Sequence, residues 1–206
     1  MEVEAEGGEV ELAFGAPVGE EDRFAEILWE AFEEKLVHVF GSREKAIGVF
    51  SGNLRDDHVV AAMRGGLVVG VACLAFRGRD CLDIGLMALL RTLGLDIFRV
   101  ATLGMVFVHR AKKEEVIIEM LAVAAGERGK GVGRQIVSFV VNFATAAGYR
   151  TLSLYVIDTN LRAKSFYEAI GFRQERYISM PFGRVFGFDG AYQMRMELGP
   201  VSGGHG

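Results

Sequence analysis

The sequence predicts an α+β fold, one sheet flanked by helices, and three stretches carry that prediction. Residues 58–63 and 67–76 are two apolar, β-rich runs joined by Arg64-Gly65-Gly66, and a Gly-Gly pair between such runs signals a hairpin. Residues 116–123 (VIIEMLAV) read as a strand that meets a glycine-rich turn. The turn passes into a segment with Val132, Ile136, Phe139, Val140 and Phe143 at i, i+4, i+7, i+8 and i+11, a helix from near Gly131 to Gly148. Further on, Tyr192, Met194, Met196 and Leu198 alternate with Gln193, Arg195 and Glu197 at a period of two, as in a strand with one face on a core.

A chain of 206 residues, half of them hydrophobic, supports one core more readily than two. A single domain over residues 10–198 is therefore expected, with a disordered leader at 1–9 and a flexible glycine-rich tail at 199–206. Residues 10–14 alternate and form a candidate first strand. From Asp22 onward, Phe24, Ile27, Leu28, Ala31 and Phe32 follow helical spacing, with acids in the first turn where the helix dipole favours them. Ser42, followed by Glu44 and Lys45, starts a second helix over 42–50, and residues 53–57 break it. The two hairpin runs are nearly continuous in apolar residues, as strands covered on both faces are, and should pair in turn with 116–123 in antiparallel fashion.

Between the third and fourth strands, residues 81–109 form an apolar insertion. Leu86, Met87, Leu89, Leu90 and Leu93 give it a helical half, and a second apolar run covers 97–108. Arg91, Asp96, Arg99 and internal glycines keep every uninterrupted stretch short of the roughly 18 residues of a membrane span. So much apolar surface is expected to pack over the sheet, against a second subunit in a homodimer, or along an apolar pocket. Residues 150–156 (RTLSLYV) alternate as a strand. Asp158-Thr159-Asn160 supplies N-cap chemistry for a short helix with Ala163, Phe166, Tyr167 and Ile170 on one stripe, ended by Gly171. Residues 173–180 and 191–198, either side of Pro181-Phe182-Gly183, are the closing strands.

Composition excludes several function classes. A formal charge of −4 gives no electrostatic footprint for nucleic acid. Residues 1–9 are acidic and contain glycine, unlike a signal peptide, so a cytoplasmic protein is expected. Cys73 and Cys81 show no C-x-x-C or Cys/His clustering and read as reduced thiols, not a disulfide or a metal site. His205 stands too isolated for a metal.

The glycine-rich turn carries the chemistry. It points unpaired backbone N–H groups outward at the positive end of a helix dipole, which suits a phosphate or pyrophosphate. It is not a P-loop, because Gly133 is followed by Arg134. Nor is it G-x-G-x-x-G, because Ile136 stands at the third glycine. Arg128, Gly131 and Gly133 instead fit R-x-x-G-x-G, and the run resembles the acyl-CoA pyrophosphate loop of the GNAT superfamily of N-acetyltransferases. Asn160, Ala163, Phe166, Tyr167, Glu168, Gly171 and Phe172 fit N-x-x-A-x-x-F-Y-E-x-x-G-F, which resembles a second hallmark of that superfamily, in the same order along the chain.

The resemblance implies a central mixed, largely antiparallel twisted sheet flanked by helices, and acetyl-CoA as cosubstrate with an amine as acceptor. It implies that the backbone of Arg128, Gly129, Lys130, Gly131, Val132 and Gly133 holds the pyrophosphate, with charge added by Lys130 and Arg134. Leu121, Ala122 and Val123 would pair with the pantetheine arm as an added strand would. Asn160 would hydrogen-bond the pantetheine or simply cap its helix, beside Ala163 and Phe166. Tyr167 is the candidate acid for the departing thiolate, or else a core residue on its stripe. Glu119, a carboxylate in an otherwise apolar strand, is the candidate base, acting directly or through water, or else faces solvent at the mouth of splayed strands. Glu33, Glu34 and His38 are candidate acceptor contacts or the wet face of their helix. An acyl-CoA-binding sensor without turnover is the alternative function.

Overall fold

The hairpin at Gly65-Gly66 starts the sheet. In the computed structural model, which describes residues 8–83, 111–180 and 187–199, β2 (Val59–Arg64) and β3 (Leu67–Ala75) pair antiparallel. Gly65 (φ 59°) and Gly66 (φ 81°) are both left-handed, the combination that a two-residue turn matched to the twist of its strands requires. β1 (Glu11–Phe14) pairs antiparallel with the outer side of β2. β4 (Glu115–Val123) pairs antiparallel with β3, as its sequence predicts. Residues 84–109, most of the expected insertion, lie outside the described residues.

The remaining strands are β5 (Thr151–Ile157), β6 (Arg173–Ser179) and β7 (Gly190–Glu197). The seven strands run in the order β1-β2-β3-β4-β5-β7-β6, all pairs antiparallel except β4 with β5. The last strand therefore slots between β5 and β6. Its apolar alternation suits that central place, while β6 (RQERYIS) is exposed along most of its length, as a charged edge strand is.

Helices cover both faces, and strand parity decides which residue meets which. α1 (Glu21–Phe40) and α2 (Arg43–Asn53) bury Phe24, Ile27, Leu28, Val49 and Phe50 against Val59, Ala61, Val71 and Cys73. Gly41, left-handed at φ 75°, returns its N–H to the Val37 carbonyl, and the Ser42 hydroxyl then accepts from Lys45 N–H. On the opposite face α3 (Val132–Ala146) and α4 (Leu161–Ala169) cover Val60, Ala62, Ala72, Leu74, Leu152, Leu154, Val156 and Met194. No helix among the described residues is long and apolar enough to cross a membrane.

Gly190 marks where β7 comes closest to β6. A Cβ there would lie inside contact distance of the Ile178 carbonyl oxygen and the Tyr177 ring. Backbone cannot step aside as a flexible side chain does, so Gly190→Ala is expected to cost about 1–3 kcal/mol or more in urea denaturation. Wild-type stability would mean that the edge strand can part from β7 without loss.

Candidate active site

The parallel pair β4–β5 is joined over only four register partners, from Glu115↔Thr151 to Ile118↔Leu154. Beyond them the two strands are no longer paired. A bulge sits at the same level on the other side of β4: Cys73 faces Met120 and Leu74 faces Ile118, so Glu119 is the unpaired extra residue. Bulges raise local twist and re-aim side chains. The effect is visible in the cores, since Ile118, Leu121 and Val123 face α3 and α4, whereas Met120 and Ala122 face α1 and α2. Among the described residues the β4 edge from Glu119 to Val123 thus has no strand partner on the β5 side, and Glu119 stands where the pairing with β5 ends.

Glu119 is half-buried and accepts a hydrogen bond from the Cys81 N–H at 3.2 Å. Burial raises its carboxyl above the usual carboxylate range, against the opposing pull of that hydrogen bond. Cys81 and Cys73 are both buried and free. The hydrogen bond that the Cys81 thiol makes to Cys73, followed by burial, pushes the Cys81 thiol well up, which makes it an inert part of the wall beside Glu119.

The glycine-rich turn follows directly. A short 3₁₀ turn (Ala125–Glu127) leads to Arg128, whose Nε donates to the Val123 carbonyl at 3.0 Å and ties the turn to the end of β4. Gly129 (φ 81°) and Gly131 (φ 85°) are left-handed, and Gly131 caps α3 with no side-chain acceptor. The N–H groups of Arg128 and Lys130 make long hydrogen bonds of 3.4 Å to Ala125 and Glu127. Those of Gly129, Gly131, Val132, Gly133 and Arg134 have no acceptor among the described residues. This is an anion site in waiting, five donors at a helix N-terminus with no acid in its first turn. Lys130 is paired with Glu127 at 3.2 Å, and Glu127 also holds Arg64 at 2.7 Å, so its charge is already compensated. Arg134 is exposed and has no ion pair among the described residues.

Gly133 packs α3 against α4. A Cβ there would meet Phe166 at 3.5 Å and Val123 at 3.7 Å, ordinary van der Waals contact. In α4, Asn160 accepts from Ala163 N–H at 3.1 Å, the capping role, which leaves its amide N–H₂ as the group that could reach a ligand. Ala163 and Phe166 lie at the margin of the core. Tyr167 is 9% exposed, edge-on to Phe166 and Phe172. Its hydroxyl has no hydrogen-bond partner among the described residues. Among the described residues the sealed, unpartnered side-chain atoms are Arg55 Nε and Arg64 Nε, so the Tyr167 oxygen is not one of them. Burial pushes its phenol far above the ordinary value.

Glu33 and Glu34 are exposed on α1, and His38 shares that helix. Two features escaped the sequence. The bulge at Glu119 has no local signature in VIIEMLAV. The place of Tyr155, one residue past the last β5 partner as Glu119 is one past the last of β4, is legible only once the β4–β5 register is known.

A family profile described as "Acetyltransferase (GNAT) family" matches residues 21–172. A search of curated protein sequences finds no match. Solved structures of similar fold include an acetyltransferase of the GNAT family from Streptococcus pneumoniae, with 15% identity and TM-score 0.59 over 93% of this chain and 100% of that one. The ribosomal-protein-S18-alanine N-acetyltransferase from Escherichia coli shares 13% identity at TM-score 0.54, over 96% and 98% of the two chains. An IAA acetyltransferase from Bacillus cereus shares 16% at 0.53, over 92% and 100%.

Proposed function

Because the chain belongs to the GNAT acetyltransferase family, we propose that it moves an acetyl group from acetyl-CoA to a primary amine of a small molecule or peptide. The observation that carries this reading is the succession of two features along the chain. The β4 edge from Glu119 to Val123 has no partner on the β5 side among the described residues, and it runs straight into a turn whose Gly129, Gly131, Val132, Gly133 and Arg134 N–H groups have no acceptor among them.

On this reading the turn's N–H groups bind the pyrophosphate, and Leu121, Ala122 and Val123 hydrogen-bond the pantetheine arm through their free edge. Asn160, Ala163 and Phe166 border the arm from α4. Glu119 takes the proton from the acceptor nitrogen as that nitrogen attacks the thioester carbon. The C–S bond then breaks, and Tyr167 gives its proton to the sulfur and regains one from solvent. The raised carboxyl of Glu119 makes it a stronger base than an exposed glutamate, and the raised phenol of Tyr167 keeps it protonated until the thiolate forms.

The test is an acetyl-CoA consumption screen across amine classes with released CoA thiol as the readout. Thiol release dependent on an amine supports the reading. Acetyl-CoA binding with no release from any amine would favour a sensor instead. The loop has its own test. Gly131→Ala sets a Cβ into a left-handed position that faces open space, while Gly133→Ala adds only van der Waals contacts. The double variant is expected to weaken CoA binding about tenfold or more, roughly 1.4 kcal/mol. Unchanged affinity by calorimetry would remove the loop from the site.

A further inference from the structure

A row of polar side chains crosses the sheet beside Glu119. Tyr155 on β5 faces Gln193 on β7, and Gln193 faces Arg176 on β6. Directly opposed antiparallel partners share a face. Leu154, Val156 and Met194 belong to the core under α3 and α4, so Tyr155, Gln193 and Arg176 lie on the other face, the one that carries Glu119. The parallel register Ile117↔Ser153 and Ile118↔Leu154, run on by one step, sets Glu119 and Tyr155 on the two lips of the gap.

This half of the face is built differently from the half under α1 and α2. There the floor is Val59, Ala61 and Val71. Here the buried residues include Glu115, Ser153 and Gln193, and Ser153 Oγ donates to Glu115 Oε1 at 2.7 Å. Arg176 starts on the edge strand and leans inward over this floor. Its Nε donates to Gln193 Oε1, and it partly offsets the upward push that burial gives the Tyr155 phenol, two strands in. Arg195, next along, is neutralised by Glu175 and Glu197, whereas Arg176 has no acid partner among the described residues. A guanidinium held through its Nε with terminal N–H groups to spare is suited to a planar, bidentate carboxylate.

We propose that Arg176, oriented by Gln193, binds a carboxylate carried by the acceptor, so that the acceptor is an amino acid whose amine lies at Glu119. The inference rests on the transferase reading with Glu119 as base. Opposite charges then meet opposite ends of the acceptor: the ammonium meets Glu119 with Glu115 behind it, and the carboxylate meets Arg176. A diamine would put its second cation against the guanidinium.

The test compares pairs that keep the amine and lose the carboxylate: L-methionine with L-methioninamide, L-phenylalanine with L-phenylalaninamide, and L-lysine with cadaverine. Wild-type kcat/KM is expected to favour the acid in at least one pair by about tenfold or more, although the amide's less basic amine biases the chemistry the other way. Arg176→Ala should raise KM for the acid about tenfold with kcat nearly kept, and Arg176→Lys should restore part of the loss, while KM for the amide stays put. Amides or cadaverine used as well as the acids, or an Arg176→Ala variant that loses both members of a pair equally, would overturn the subsite and leave the transferase reading standing. Acetyl-CoA that binds by calorimetry but releases no thiol with any amine would overturn both.

Discussion

Glu119→Gln is expected to lower kcat/KM by about 10²–10⁴-fold, the range a positioned general base contributes. The substitution keeps the shape of the side chain and an oxygen for the Cys81 N–H. Only the deprotonated carboxylate accepts a proton, so wild-type activity should rise with pH through the pKa of Glu119. Burial has moved that pKa above the ordinary carboxylate range, and the acid limb should shift upward with it. In the variant the limb should vanish. Stability has the opposite sign. For an acid whose folded pKa is raised, the stabilisation that comes with its proton is complete below the unfolded pKa and lost as pH rises through the folded one. A glutamine never ionises, so at neutral pH the variant should unfold at an equal or higher temperature than wild type. Lost activity with retained Tm is the expected pair of results, and an intact acid limb in the variant would assign the base elsewhere.

Tyr167→Phe is expected to reduce kcat by about 10²-fold while leaving CoA affinity and thermal unfolding near wild type. The hydroxyl makes no hydrogen bond among the described residues, so its removal breaks nothing in the fold, and the ring keeps its edge-on contacts with Phe166 and Phe172. Because burial holds the phenol protonated far past neutrality, the wild-type profile should show no alkaline fall from this group below its ordinary pKa of about 10. A single-turnover measurement separates the chemical step from product release. Wild-type turnover in the variant would return Tyr167 to a purely structural place on the α4 stripe.

Much of this was legible in the sequence for a local reason. The hairpin follows from Gly65-Gly66, the α2 start from Ser42, and the anion turn from Gly129 and Gly131 just ahead of a helix. Each depends on residues that are neighbours in the chain. Tyr167 and Asn160 were readable because α4 is a single short helix with its own cap and stripe. In the same way Glu119 stood out as the one charge within the run VIIEMLAV, although its surroundings did not.

Strand order, the bulge and the choice of face belong to the tertiary structure. Nothing local distinguishes a β7 that pairs with β5 from one that pairs only with β6, yet that choice sets Gln193 between Tyr155 and Arg176. One extra residue in β4 turns Met120 and Ala122 toward α1 and α2 while Glu119 stays on that same side. The sequence by itself determined the elements, their caps and the donor-rich turn, because dihedral preference and side-chain period act over a few residues. Only the packed sheet decided which side chains share the gap, because register joins strands far apart in the chain and a slip of one residue sends every side chain to the opposite face.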